Sequence, residues 1–179
     1  MRYRSVADIC MVILFLAVPL AGMGMEKNGP GKKEAAVITN VKASEKGDFA
    51  TPDFELPDTN NDMVKLGDYK GRQPVLLFFW TTWCPFCRKE LNMLNTKYAS
   101  LAKDNVVVLA VNIGESPAAL NAFLKSYQLV FRMLLDKDSV AATNFNLVGV
   151  PTYILVNKEG AIVFQDNFFP SAYKNLVSK

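Results

Sequence analysis

Apolar residues fall along this chain in different rhythms, and each rhythm predicts a different kind of element. Near the start, Arg2 and Arg4 precede an uncharged run from Ile9 to Met25, whose dense part, Ile9 to Ala21, is about 13 residues long. A membrane-spanning helix needs about 20 apolar residues and a signal-peptide core about 7–15. Gly22-Met23-Gly24 offers a small-x-small cleavage site. Residues 1–24 are therefore read as a signal peptide or a membrane anchor. Residues 25–47 are rich in Lys, Glu, Gly and Asn and read as a flexible linker with an r.m.s. span of roughly 25 Å. Val37-Ile38-Thr39 is a candidate short strand within it. A structured domain is expected over residues 48–179.

In that domain, Phe54-Glu55-Leu56 and Met63-Val64-Lys65-Leu66 alternate around the turn cluster Pro57 to Asp62, which predicts a hairpin. Val75 to Trp80 is a continuous apolar run and predicts a strand buried on both faces. Leu91, Leu94, Tyr98 and Leu101 form one helical stripe. Val106 to Val111 predicts a second buried strand. Ser116-Pro117 opens a helix carrying Leu120, Phe123, Leu124 and Tyr127, with Ser as N-cap and Pro at the first position. A strand over Phe131 to Leu135 and a short helix over Ser139 to Phe145 follow. Thr152 to Val156 and Ala161 to Gln165 predict a hairpin around Asn157 to Gly160, and Ser171 to Val177 a closing helix. Strands alternating with helices and ending in a hairpin imply an α/β sandwich with a mixed sheet.

Composition narrows the class. The 179 residues are 50% apolar and 21% charged with a net charge of +3, and they include no histidine. A domain of about 150 residues buries roughly two-thirds of the surface it exposes when unfolded, so it needs no disulfide staples. A small net charge without a basic stripe excludes nucleic acid as a partner. The absence of histidine removes Ser-His-Asp and Cys-His catalysis and His-ligated zinc or haem. The three cysteines, Cys10, Cys84 and Cys87, are too few for a four-thiolate metal site. Cys10 stands at the head of the apolar run, whereas a bacterial lipoprotein cysteine follows such a run, so it reads as leader filler. No metal and no cofactor are expected.

The chemistry lies in Trp83-Cys84-Pro85-Phe86-Cys87. Two cysteines at i and i+3 follow a buried strand and open a helix, so their sulfurs share a face. The helix N-terminus supplies unpaired N–H groups and a positive dipole end, which lower a thiol's pKa, and Arg88 and Lys89 add positive charge. Thiolate is the attacking species in disulfide exchange. Cys84, nearer the helix start, is expected to be the exposed nucleophile, and Cys87, one turn deeper, the resolving thiol. A zinc half-site lacks a second pair of ligands, and an inert disulfide closing so small a loop contributes little. These cysteines sit where disulfides persist if the leader carries the chain out of the cytoplasm.

Pro52 to Pro57, Leu66 to Gly71, Phe79 to Glu90, Val111 to Ser116 and Gly149-Val150-Pro151-Thr152 resemble the TlpA/ResA-like family of thioredoxin-fold thiol–disulfide oxidoreductases. The resemblance runs from about Phe49 to the C-terminus. It implies an α/β thioredoxin-like fold: a mixed central sheet flanked by helices, an N-terminal β-hairpin, and an αβ insertion before a strand opened by a cis-proline. Members are membrane-tethered or periplasmic, and many reduce protein disulfides, notably in apocytochrome c, drawing electrons from a transmembrane donor protein. The resemblance therefore implies disulfide-bearing protein substrates, such a donor, and membrane contact only through the N-terminal segment. Pro151 matches the family's cis-proline, which leaves a backbone edge at Val150 for a substrate strand; from spacing alone Pro151 is equally a strand-start proline. Many thioredoxins bury an Asp and a Lys at the positions of Phe78 and Ala110, so that proton relay is missing. The family's own acid matches Glu115, expected to be partly desolvated beside the sulfurs, with a raised pKa, and to shuttle the proton of Cys87. Catalysis is thus assigned to Cys84, Cys87 and Glu115. Substrate contact is assigned to Trp83, Pro85, Phe86, Val150 and Pro151, with Trp83 shaping the groove and Phe86 offering an apolar contact. Glu90 reads as a solvated helix residue.

Three other functions compete. A disulfide-donating oxidase or isomerase of the same fold shares these residues, Pro85 included, and the direction of electron flow stays open. A thiol peroxidase is suggested by Thr81-Thr82-Trp83-Cys84, but Leu77 stands where peroxiredoxins carry a proline, and the nearby Cys87 is atypical of them. A copper chaperone holding a soft ion between two thiolates would use a wider cysteine spacing and a histidine.

Overall fold

The computed structural model describes residues 51–178. The leader, the linker, the candidate strand Val37–Thr39 and Cys10 lie outside them. The chain begins with a two-stranded antiparallel hairpin, β1 (Glu55–Pro57) and β2 (Met63–Lys65), in which Leu56 faces Val64. The turn is closed by the Asp58 carboxylate, which accepts from the N–H groups of Asn60 and Asp62 at 2.8 and 2.9 Å. A 3-10 turn, Leu66–Tyr69, leads into the main sheet.

That sheet has five strands: β3 (Val75–Trp80), β4 (Val107–Ile113), β5 (Arg132–Asp136), β6 (Thr152–Val156) and β7 (Ile162–Asp166), in the order β5-β4-β3-β6-β7. β3, β4 and β5 are parallel neighbours, while β6 runs antiparallel to β3 and β7 antiparallel to β6. Every residue of β3 is buried, which explains its unbroken apolar run. Successive side chains point to opposite faces of a strand, and β3 feeds two cores. Leu76, Phe78 and Trp80 pack with Leu91, Leu94 and Leu101 of α1 (Pro85–Lys103) and with Leu120 of α2 (Pro117–Leu124). Val75, Leu77 and Phe79 pack with Leu56 and Val64 of the hairpin and with Ala141 of α3 (Val140–Asn144). Tyr173 of α4 (Tyr173–Val177) joins the first core. Among the described residues no helix is long and apolar enough to cross a membrane.

Several boundaries differ from the sequence pattern by a few residues, and three of them have a clear cause. β4 runs on to Ile113 because Asn112 and Ile113 find register partners in Leu135 and Asp136 of β5. α2 stops at Leu124, where Ser126 and Tyr127 donate to Phe123 and Leu124 in a tightened last turn. Tyr127 therefore leaves the helix, yet its ring stacks on Phe123 at 4.1 Å. Ser139 stands outside α3 with φ +57; the buried Asp136 carboxylate instead takes the N–H groups that the helix start leaves free, those of Ala141 and Ala142, at 3.2 and 2.8 Å. The Ser116 hydroxyl does cap α2, accepting from Ala119 N–H at 3.2 Å.

Candidate active site

β3 ends at Trp80 and α1 starts at Pro85, so the intervening turn delivers Cys84 to the N-cap of α1. Pro85 sits at the first helical turn, where its missing N–H costs nothing. Cys84 Sγ accepts the Cys87 N–H at 3.1 Å, a bond that the helix start leaves available. Both residues are thiols. Cys84 was expected to be exposed, but only 5% of it is, and Cys87 has no exposed surface. The cause is the facing segment: the Val150 carbonyl lies 3.9 Å from Cys84 Sγ and accepts its S–H. The Val150–Pro151 peptide bond in that segment is cis. Burial, then the hydrogen bond with Cys84, pushes the Cys87 thiol up to about 12, against weaker pulls from the backbone of Thr81 and of Cys87 itself.

The side chains beside the sulfurs point outward. Trp83 is 68% exposed and Phe86 73%, so neither is a core residue. Arg88 is half-buried and donates from Nη1 to the Thr82 carbonyl at 3.4 Å, bracing the turn.

Glu115 follows the positive-φ Gly114 at the end of β4. Its carboxylate accepts from Thr82 N–H at 2.7 Å, from Thr82 Oγ1 at 2.5 Å and from Asn112 Nδ2 at 2.6 Å. All three partners are donors, which suits an acceptor-only carboxylate. Glu115 thus reaches the cysteines through the turn that carries Cys84. Asn112 is fully buried, and its Oδ1 has no partner among the described residues. Such an orphan costs about 1–3 kcal/mol, so Asn112 serves Glu115 at a strand position that stability alone would fill with an apolar side chain.

Phe78 and Ala110 are register partners on β3 and β4, both fully buried. The polar pair of many thioredoxins is thereby replaced by apolar surface. A different acid occupies this side. Glu90, read from the sequence as solvated, is half-buried and accepts from Tyr153 Oη at 2.9 Å. It stands one turn beyond Cys87 on the same face of α1. Tyr153 is fully buried on β6, and burial, with the Glu90 charge next, holds its hydroxyl well above the ordinary tyrosine range; the Cys87 charge adds to the same effect. Tyr153 was not singled out in the sequence, where it reads as one more apolar strand position.

The AhpC/TSA family model matches residues 48–165. The chain is 38% identical over 128 residues to the thiol-disulfide oxidoreductase ResA of Bacillus subtilis, covering 72% of this chain and 70% of that protein. Among solved structures, the thioredoxin domain of a thiol-disulfide oxidoreductase from Bacteroides vulgatus is similar with a TM-score of 0.63 and 26% identity, covering 75% of this chain and 97% of that one. StoA from Bacillus subtilis is similar with a TM-score of 0.60 and 25% identity, covering 70% and 96% respectively.

Proposed function

Since the chain belongs to the AhpC/TSA family and is a thiol–disulfide oxidoreductase of the ResA type, we propose that it works outside the cytoplasm, reducing disulfides in protein substrates through a Cys84–Cys87 dithiol cycle. The observation that carries this reading is the placement of Cys84: at the N-cap of α1, accepting the Cys87 N–H, and opposite the Val150 carbonyl. The helix start aims a backbone N–H at the sulfur that is to attack.

The cycle balances as follows. Cys84 thiolate attacks one sulfur of a substrate disulfide, forms a mixed disulfide and expels the other sulfur as a thiolate, which takes up a proton. Cys87 then loses its proton and attacks Cys84 Sγ. The second substrate thiol leaves, and Cys84–Cys87 is a disulfide. Two electrons have passed to the substrate, and a dithiol donor outside this chain must return them; a transmembrane carrier fits that need. Two carboxylates serve the second step. Glu115 holds the Thr82 turn and is the acid that the family resemblance implies. Glu90, one turn beyond Cys87 on α1 and bonded to Tyr153 of the core that holds Cys87, is favoured by that placement as the acceptor of its proton. Trp83, Pro85, Phe86, Val150 and Pro151 surround the attacked bond and form the contact surface for an extended substrate chain. Apocytochrome c is one such substrate, and an N-terminal signal or anchor is what would bring this chain to it.

Two experiments test the reading. Cys87→Ala is expected to accumulate a mixed disulfide through Cys84 with substrate proteins. The reduction potential of Cys84–Cys87 is expected below roughly −230 mV, towards thioredoxin at about −270 mV. A potential above roughly −170 mV, towards DsbA at about −120 mV, would make the protein a disulfide donor and rule out apocytochrome c as a substrate to be reduced.

A further inference from the structure

The segment that faces Cys84 has little around it. Val148 is 99% exposed, and a Cβ added at Gly149 would meet nothing within 4 Å. Its three successive carbonyls nevertheless have partners. Thr152 Oγ1 donates to Gly149 O at 2.7 Å, Cys84 Sγ to Val150 O at 3.9 Å, and Asn167 Nδ2 to Pro151 O at 2.5 Å. The same Asn167 amide lies 3.3 Å from Thr152 Oγ1.

These tethers do not survive the reaction equally. The Cys84 donor exists only while that sulfur carries its proton, so it is gone in the thiolate and in the mixed disulfide. The Thr152–Gly149 bond is internal to the segment and sets its shape, not its position. Val150 packs against both cores, which limits the segment in depth. Asn167 belongs to a different part of the chain, the turn after β7, and its amide takes no part in the redox step. Among the described residues it is the side-chain tether of the Pro151 carbonyl that persists from thiol to mixed disulfide.

We propose that Asn167 is a positioning residue for polypeptide substrates: it holds the Pro151 loop in place after the Cys84 proton has left, so that an extended peptide meets loop backbone and sulfur together. The proposal rests on the oxidoreductase reading and adds a residue to it. Asn167 is exposed, and an exposed hydrogen bond that water can replace contributes little to folding, so substrate handling and stability are separable here.

The test uses the reduced full-length chain and two oxidants. One is a synthetic peptide with an intramolecular Cys-x-x-Cys disulfide flanked by apolar residues. The other is 5,5′-dithiobis(2-nitrobenzoate), too small to span the loop. Each takes two electrons from the dithiol and leaves as two thiols while Cys84–Cys87 closes. Asn167→Ala is expected to raise the half-saturating peptide concentration about tenfold, a loss of about 1.4 kcal/mol in binding, with the saturating rate and the small-disulfide rate unchanged within about twofold. Asn167→Asp keeps the size but sets an acceptor against the Pro151 carbonyl, and should lose at least as much; it carries the comparison alone should the alanine variant not fold. Wild-type behaviour of either variant towards the peptide overturns the proposal. So does a parallel slowing with both oxidants, or a fall in saturating rate without weaker peptide binding. If the unmodified protein reacts with neither oxidant, the oxidoreductase reading itself fails.

Discussion

Cys87 is fully buried, with its thiol pushed up to about 12 by burial first and by Cys84 second. In the reduced protein it therefore keeps its proton through the neutral range, and closing the disulfide must release it. One proton coupled to two electrons tilts a potential by about 30 mV per pH unit. The Cys84–Cys87 potential is expected to become more negative by at least that slope as pH rises from about 6 to about 9; redox titrations at several pH values measure it, and a flat line would mean that Cys87 is already ionised. The acceptor of that proton can be found the same way. Glu90→Gln should slow the resolving step about 10²-fold, in the range of general-base effects, while the first attack by Cys84 keeps its rate; stopped-flow Trp fluorescence separates the two steps. Of this chemistry, the cysteine pair was legible in the sequence because both sulfurs lie within one helical turn. Glu90 was misread, because its partner Tyr153 is 63 positions away and only the pairing of β6 with β3 brings the two together. Asn167 escaped notice for the same reason: nothing local marks a residue whose partner is a carbonyl 16 positions earlier.

The elements follow the sequence where one face dominates. Leu91, Leu94 and Leu101 of α1 are all fully buried, as their spacing predicts. Leu94→Ala should cost about 2–5 kcal/mol, read from the midpoint of a urea melt, and a loss under about 1 kcal/mol would mean the stripe does not carry the helix. The hairpin is different, because its attachment is electrostatic as well as apolar. Burial acts to raise the Asp58 carboxyl, but the N–H of Asp62, the Arg132 guanidinium and the N–H of Asn60 together hold it below the ordinary range. Arg132 Nε donates to it at 2.8 Å and ties the hairpin turn to β5, where Asp58 also bridges Leu134. A carboxylate with a depressed folded pKa contributes stability that is fully present above its unfolded value, near about 4, and lost as pH falls through the folded one. Asp58→Asn should cost about 1.5–3 kcal/mol at neutral pH and make stability less sensitive to acid below about pH 4. Melts at falling pH that stay parallel for both proteins would rule this out. No periodicity forecast this link, since a charged residue in a turn cluster ordinarily faces water.

At the scale of the whole domain, β3 supplies both cores with alternate side chains, so neither can melt while the other stays intact. Unfolding is expected to be two-state: the fluorescence of buried Trp80 and the far-UV signal of the helices should give coincident curves, and separated curves would mean that the hairpin side opens first. The described chain also has a front and a back. β3 and α1 both meet at the cysteine end. β6 runs back from Thr152, beside Phe79, to Val156, beside Val75. The turn beyond Val156 holds Gly160, whose carbonyl accepts from Thr51 Oγ1 at 2.5 Å. At the other terminus, Tyr173 Oη donates to Asp104 at 2.6 Å, and Asp104 caps the far end of α1, which is about 28 Å long at 1.5 Å per residue. Both ends of the described chain thus sit on the side away from the sulfurs. A fluorophore, an affinity handle or a link to a bead or electrode placed after α4 would leave the reactive face open to whatever is passed over it, so immobilised protein with Cys87 replaced can serve directly as bait for its own substrates.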